Sequence, residues 1–425
     1  MGFKVGFFGS FYPLVDRLAT TSTGLVYLFA DSSQVDKIEL FSPVGSIIPP
    51  ELETNKIRLN PLWCYNSVLS LIRTFFLMRK KRKTIDTYFF NIYLTSFGTS
   101  RLANFVGLLI PPLLSRLTHR EVIVYMHNFI ETQDVDRLGY NGKSFSKRIA
   151  RILEKVIAIN TNLVVPLPSQ SAKLRGIFRK APRDIVIPYV EGLFSFLHLK
   201  TLGQKRLRKT NDLFNILLFG SWGPQKNLKD ALSTIGELFS EGMEANVVVA
   251  GSVNSGFPYY LESIEHVWKK LPANMVTFRM NVPEEEIPGL FQETDLLFLP
   301  YNATGGYSAV MNVGALYGVK MLAYDLPELR EFSSLIESDC VFVDPKDHEA
   351  LKSALRVAIS ARKQFSNKDN NTIETRLGRT FHEFNKFVSL MSERNKWRAI
   401  EEGKAHIVRD EIDTNQEESI RGAGP

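Results

Sequence analysis

One pattern constrains this chain more than any other. Short apolar runs alternate with helix-compatible stretches, the alternation lapses after Tyr189, and it restarts at Phe214. In the first half, Phe3–Phe8 and residues 36–41, 88–92, 122–125, 163–165 and 185–187 read as strands, with a helix over 23–30. In the second, 214–219, 246–250, 276–279, 296–299 and 320–324 read as strands, and 228–239, 259–270, 283–293 and 309–317 as helices. Strands that are apolar throughout belong in parallel sheets covered on both faces. The expected fold class is therefore α/β, with two Rossmann-like, doubly wound parallel-sheet domains facing a cleft. The expected boundaries are 1–188, a basic linker at 189–212, and 213–375. Residues 376–402 carry Phe381, Phe384 and Phe387 at helical spacing and predict a helix packed back on the body. Residues 403–425 are polar without apolar period, so disorder is expected there. A chain of 425 residues also exceeds one ordinary core.

In parallel α/β sheets, ligands bind beyond the carboxyl ends of the strands. Two segments fit that place. After strand 296–299 come Tyr301, Gly305, Gly306, Tyr307, Ser308, Ala309, Val310 and Asn312, a glycine loop opening a helix. Adjacent glycines allow close backbone approach, and a helix start offers unpaired N–H groups to a phosphate. After strand 214–219 come Gly220, Ser221 and Lys226, again before a helix. An ammonium there can neutralise a leaving diphosphate. Gly251 ends the next strand. In the first half, His127 ends a strand and would face the cleft. Gly9, with Thr23 and Gly24 at the expected helix start, offers a loop for an acceptor.

Other chemistries are disfavoured. The chain has no CxxC, HExxH, GxxxxGK[ST] or GxSxG motif and no GxGxxG after its first strand. Asp134 and Asp136 form a D-x-D triplet beside a helix start rather than in a strand-end loop, so no metal is expected. Cys64 and Cys340, far apart in sequence, read as buried thiols in a reducing compartment.

Read together, NLVVPLPSQSAKL, DIVIPYVEG, FGSWGPQKNLKDAL, NVVVAGS, VPEEEIPGLFQETDLLFLPY and YGVKMLAYDLPELREF occur in an order and spacing that resembles the retaining GT-B glycosyltransferases of family 4, or group 1. The resemblance implies a hexosyltransferase moving sugar from a nucleoside-diphosphate sugar to a glycan or lipid-linked acceptor, with no metal or other cofactor. It makes Lys226 the partner of the donor diphosphate, His127 a contact of the donor sugar, and Gly305 to Val310 the diphosphate cradle. The chain departs from the family at three places. Ser221 stands where an arginine is usual, and Gly305 and Val313 stand where the family's two glutamates do. Asn312 and Glu328 are the nearby substitutes. Those departures keep two alternatives open: a catalytically silent GT-B subunit that binds sugar nucleotides, and a GT-B sugar-nucleotide epimerase.

Charge separates the halves. Residues 1–200 hold 26 Lys and Arg against 14 Asp and Glu, whereas the whole chain is only +7. The run Arg79, Lys80, Lys81, Arg82, Lys83 follows an apolar stretch, which suits peripheral contact with anionic membrane better than nucleic acid, for which no motif is present. No apolar run reaches the ~18 residues of a membrane span, and no leader pattern is visible. The expected place is the cytoplasm, at the inner face of the cell membrane, in cell-surface glycan biosynthesis.

Overall fold

The computed structural model describes residues 2–14, 17–127, 129–130, 145–178, 183–185, 187–190, 193, 213–254, 256–360 and 370–401. The centre of the expected linker, Asp134, Asp136 and the expected disordered tail lie outside these residues.

The first sheet takes β1 (Phe3–Phe8), β2 (Val35–Pro43), β3 (Ile57–Trp63), β4 (Thr87–Ile92), β5 (Glu121–Met126), β6 (Asn162–Val165) and β7 (Arg183–Asp184) in the order β3-β2-β1-β4-β5-β6-β7. The second takes β8 (Asn215–Trp222), β9 (Asn246–Val253), β10 (Val276–Met280), β11 (Leu296–Leu299), β12 (Lys320–Tyr324) and β13 (Cys340–Val343) in the order β10-β9-β8-β11-β12-β13. Every pairing is parallel. In each sheet the winding reverses beside the first strand, between β1 and β4 and between β8 and β11. Crevices open at such points because successive crossovers leave on opposite faces.

Helices of the first domain are α1 (Arg17–Asp31), α2 (Val68–Lys80), α3 (Arg101–Thr118), α4 (Phe145–Asn160) and α5 (Pro168–Arg175). Those of the second are α6 (Leu228–Ser240), α7 (Tyr260–Ser263), α8 (Glu265–Trp268), α9 (Ile287–Glu293), α10 (Ala309–Leu316), α11 (Pro327–Leu335) and α12 (His348–Ser360), followed by the long α13 (Asn370–Glu401). The central strands are the buried ones, β4 and β5 at every residue, whereas the edge strands β3, β10 and β13 are largely half-buried or exposed. α3 continues through Pro111 and Pro112. No helix among the described residues is long and apolar enough to cross a membrane.

α13 leaves the second domain and packs on the first. Phe384 meets Phe29 edge-on at 4.8 Å between ring centres, Phe387 meets Phe89 at 6.0 Å, and Phe381 meets Tyr27 at 6.1 Å. Gln34 donates to Ser389 at 2.7 Å. Beside this helix the chain near Tyr189 is pinned from both domains. Tyr189 N–H donates to Asn312 Oδ1 (2.9 Å), its hydroxyl donates to the Ile336 carbonyl (2.6 Å), and Thr380 donates to the Pro188 carbonyl (2.8 Å). Gly24 completes the knot, since a Cβ there would lie 2.5 Å from the Val190 carbonyl.

Two expectations are corrected here. Thr23 and Gly24 are inside α1, not at its start; Thr23 Oγ1 bonds to Ala19 O, and Gly24 is a packing glycine, so neither forms an acceptor loop. Cys64 is exposed rather than buried. Cys340 is partly exposed; burial, with Asp339 beside it, pushes its thiol up to about 12.

Candidate active site

The carboxyl end of β8 is shaped by a glycine pair. Gly220 lies opposite Gly251 in the β8–β9 register, and a Cβ on Gly251 would sit 2.0 Å from the Gly220 carbonyl oxygen. Gly251 also has φ +116°, outside the comfortable range of L side chains. The close approach leads the chain through exposed Ser221 into a 3₁₀ turn, Pro224–Lys226, and on through Asn227 into α6.

The second loop comes from β11, across the switch-point crevice, and is knitted to the first. Asn302 N–H donates to the Gln225 carbonyl at 3.0 Å, and Asn227 Nδ2 donates to Asn302 Oδ1 at 3.1 Å. The Lys226 ammonium rests 3.2 Å from the centre of the Tyr301 ring, a cation–π seat that holds the charge at the junction of the loops. Beyond it Thr304 brackets the turn by donating to the Gly306 carbonyl at 2.6 Å. Ser308 then caps α10, its hydroxyl accepting from Met311 N–H at 3.2 Å. Gly305, Ala309 and Val310 remain partly exposed at this helix start. The far end of α10 is closed by Arg376 of α13, whose guanidinium donates to the Ala315 and Leu316 carbonyls. A cation there complements the helix dipole whose positive end faces the crevice.

The N-terminal domain reaches this loop through His127, which is 1% exposed. Asn91 Nδ2 donates to Ser22 Oγ (2.9 Å) and to the Leu18 carbonyl (3.3 Å), which turns its amide oxygen toward His127 Nε2 at 2.6 Å. Nε2 therefore carries the proton in this network. Nδ1 meets the Tyr307 hydroxyl at 3.1 Å. The two domains thus touch through Asn91, His127 and Tyr307. Gly306 touches alongside: at φ +148°, its Cβ position lies 3.0 Å from the His127 carbonyl and 3.1 Å from Gln170 Nε2. A further bridge joins Ser169, through both its N–H and hydroxyl, to the Glu331 carboxylate.

The structure thus brings Gly220, Ser221, Lys226, Tyr301, Gly305, Gly306, Tyr307, Ser308, Ala309 and Val310 to one sheet edge, with Gly306 and Tyr307 against His127. Gly9 stands at the end of β1, its Cβ position 2.7 Å from Ser22 Oγ and 3.3 Å from the Asn91 carbonyl, beside the His127 network. Asn312 is different. It is 0% exposed and holds Tyr189, so it serves the interdomain crossing instead of facing a ribose. Glu328 is partly exposed near the start of α11. Sequence reasoning passed over Asn91, Gln170 and Glu331. The signal for Asn91 was a lone amide inside the apolar strand TYFFNI.

No family model matches the chain, and no curated protein matches it in sequence. Solved structures do match in shape. Anabaena HepE, crystallised with UDP-glucose, is 14% identical with a TM-score of 0.62, over 91% of this chain and 98% of that one. Sucrose-phosphate synthase from Thermosynechococcus elongatus is 13% identical with a TM-score of 0.62, over 94% and 99%. UDP-GlcNAc 2-epimerase from Methanocaldococcus jannaschii is 13% identical with a TM-score of 0.54, over 92% and 99%. Taken with the two switch-point sheets and the returning C-terminal helix, these likenesses show the fold: the chain has the GT-B architecture.

Proposed function

We propose that this chain is a glycosyltransferase that moves a hexose from a nucleoside-diphosphate sugar to a hydroxyl of a glycan or lipid-linked acceptor, with retention at the anomeric carbon. The observation that carries the reading is the pair of interlocked strand-end loops, with Lys226 at their junction and the start of α10 opening beside it. Backbone N–H groups around Gly305 to Val310 would hold the diphosphate, and Lys226 would leave its aromatic seat to meet the charge released on the β-phosphate. The acceptor oxygen bonds to the anomeric carbon as the carbon–oxygen bond to the phosphate breaks. The departing diphosphate keeps the electron pair and takes the acceptor's proton. Contact between His127 and Tyr307 closes water out of the gap. A complex of HepE with UDP-glucose on the same architecture agrees with this reading.

A second reading is a catalytically silent sugar-nucleotide binder. Gly305 and Val313, at the family's glutamate positions, favour it, as does the engagement of both His127 ring nitrogens. An epimerase shares the fold as well. One experiment separates the three. The chain is incubated with a panel of nucleoside-diphosphate sugars, with and without lipid-linked and oligosaccharide acceptors, and followed for diphosphate release and donor isomerisation. Acceptor-dependent release supports transfer. Isomerised donor without acceptor identifies an epimerase. Stabilisation by donor without turnover identifies a silent binder.

A further inference from the structure

One face of the N-terminal domain remains outside this chemistry. α2, α3 and α4 lie side by side over one face of the first sheet. Their inward residues, including Leu71, Met78, Leu108, Leu114 and Ile157, are buried in the core beneath. Their outward residues are not those of an ordinary wet surface. α2 shows Leu69, Ile72 and Phe76, 58%, 38% and 56% exposed, in one stripe at i, i+3 and i+7. α3 adds Leu102, Phe105, Leu113 and Leu117, and α4 adds Ile152 and Ile159, all exposed. Nine exposed large apolar residues on three neighbouring helices form a patch that soluble surfaces rarely carry.

The charge on this face has one sign. The three helices contain a single acid, Glu154, which is 0% exposed and accepts from Ile130 N–H. Their exposed bases are Arg73, Arg79 and Lys80 on α2, Arg101 and Arg116 on α3, and Arg148, Arg151 and Lys155 on α4. Arg82 and Lys83 extend the set and, with Phe76, Arg79 and Lys80, line a shallow depression. Lys81 does not belong to it, because it turns in to Glu39 at 2.5 Å. The C-terminal domain shows the contrast. There Glu237 and Glu241 on and beside α6 pair with Lys352 and Arg356 of α12.

We propose that the α2–α3–α4 face docks on an anionic lipid bilayer. Its aliphatic and aromatic side chains enter the boundary of the acyl region, and its arginines and lysines meet lipid phosphates. A nucleic acid would use the bases but has no use for the apolar stripe standing among them. A second copy docking isologously would set base against base. Because each helix begins where a strand ends, Leu69, Leu102 and Phe105 lie toward the cleft end of the layer and Arg79 to Lys83 toward the remote end. The cleft then opens close to the membrane plane. The docking does not depend on the transfer reading.

The test is flotation of the full chain with vesicles of phosphatidylcholine alone and with about 30 mol% phosphatidylglycerol, at low and high salt. Binding is expected only to the anionic vesicles and to weaken with salt. Phe76→Ser with Phe105→Ser, both at exposed sites, is expected to cut partitioning at least ~10-fold without lowering the melting temperature. Arg79→Glu, Arg82→Glu and Lys83→Glu together are expected to cut it ~100-fold or more, since each basic residue near the surface is worth about fivefold. Equal binding to both vesicle types, or failure to bind the anionic ones, overturns the proposal. So does single-stranded RNA binding that the charge variant loses and the phenylalanine variant keeps. A dimer dissolved by the phenylalanine variant overturns it too, in favour of a second copy.

Discussion

Gly251→Ala puts the geometry of the β8–β9 strand end under direct test, and Gly242→Ala is its control. Both glycines have positive φ, +116° and +83°. At Gly242 an added Cβ meets nothing within 4 Å, so alanine there suffers only the backbone cost, about 1–3 kcal/mol for a sparsely populated conformation. At Gly251 the same methyl lies 2.0 Å from the Gly220 carbonyl oxygen and 2.9 Å from its carbonyl carbon and nitrogen. Relief requires β8 and β9 to part by roughly 1 Å, with a further ~1–3 kcal/mol for overpacking. The total for Gly251→Ala is about 2–6 kcal/mol against a domain stability of ~5–15 kcal/mol. Urea unfolding with separate reporters for the two domains measures both variants. Gly251→Ala is expected to move the C-terminal midpoint well below that of Gly242→Ala and leave the N-terminal domain near wild type. Nucleoside-diphosphate affinity should fall at least ~10-fold in Gly251→Ala alone, because the displaced strand end carries Ser221 and the turn to Lys226. Equal midpoints for the two variants would refute the close-approach argument.

Four further outcomes follow from the same geometry. Lys226→Ala is expected to lower kcat/KM for the donor by about 100-fold, in initial-rate kinetics, with the melting temperature unchanged. Tyr307→Phe keeps the ring on Phe332, 4.8 Å between centres, but removes the hydroxyl partner of His127 Nδ1; domain closure read by small-angle scattering with donor present should weaken by ~1–3 kcal/mol. Asn312→Leu strips the buried Tyr189 N–H of its acceptor and should cost about 1–3 kcal/mol in chemical denaturation without changing donor specificity. Glu39 gives a pH dependence. Burial pushes its carboxyl up, but hydrogen bonds from Lys81, Lys37 and Asn60 outweigh that and hold it below the usual carboxylate range. Its stabilisation is full above the unfolded carboxylate pKa and is lost as pH falls through the lowered folded value. Glu39→Gln should flatten that acid limb in a pH series of melting temperatures, and an unchanged slope would count against the ion pairs.

Elements with strong local signals were legible in the sequence almost to the residue. Phe3–Phe8, Leu296–Leu299 and Lys320–Tyr324 are apolar strands at the expected positions. β3 was not, because IRLNPLW is an edge strand with Asn60 and Pro61 in it and only Ile57 and Trp63 buried. β13 was hidden likewise, with Val343 its only buried residue. The start of α1 was misplaced because Thr21, Ser22 and Thr23 look like capping residues, yet tertiary packing buries all three. One helix expected over 259–270 breaks at Ile264 into α7 and α8. At the site, glycines after apolar strands announced both loops. The Asn91–His127–Tyr307 line was silent, because its members lie 36 and 180 residues apart and no local period links them.

The crossing at Tyr189 and the return of α13 have a mechanical consequence. Both lie at the same margin of the molecule, stitched together by Thr380 and the Pro188 carbonyl. Two halves bound along one spine can swing like book covers but cannot slide past each other. Any reopening of the Tyr307 contact is therefore a rotation, largest at the free margin opposite the spine and smallest beside Asn312. A swing at that margin parts His127 from Tyr307 while leaving the buried knot at Asn312 intact.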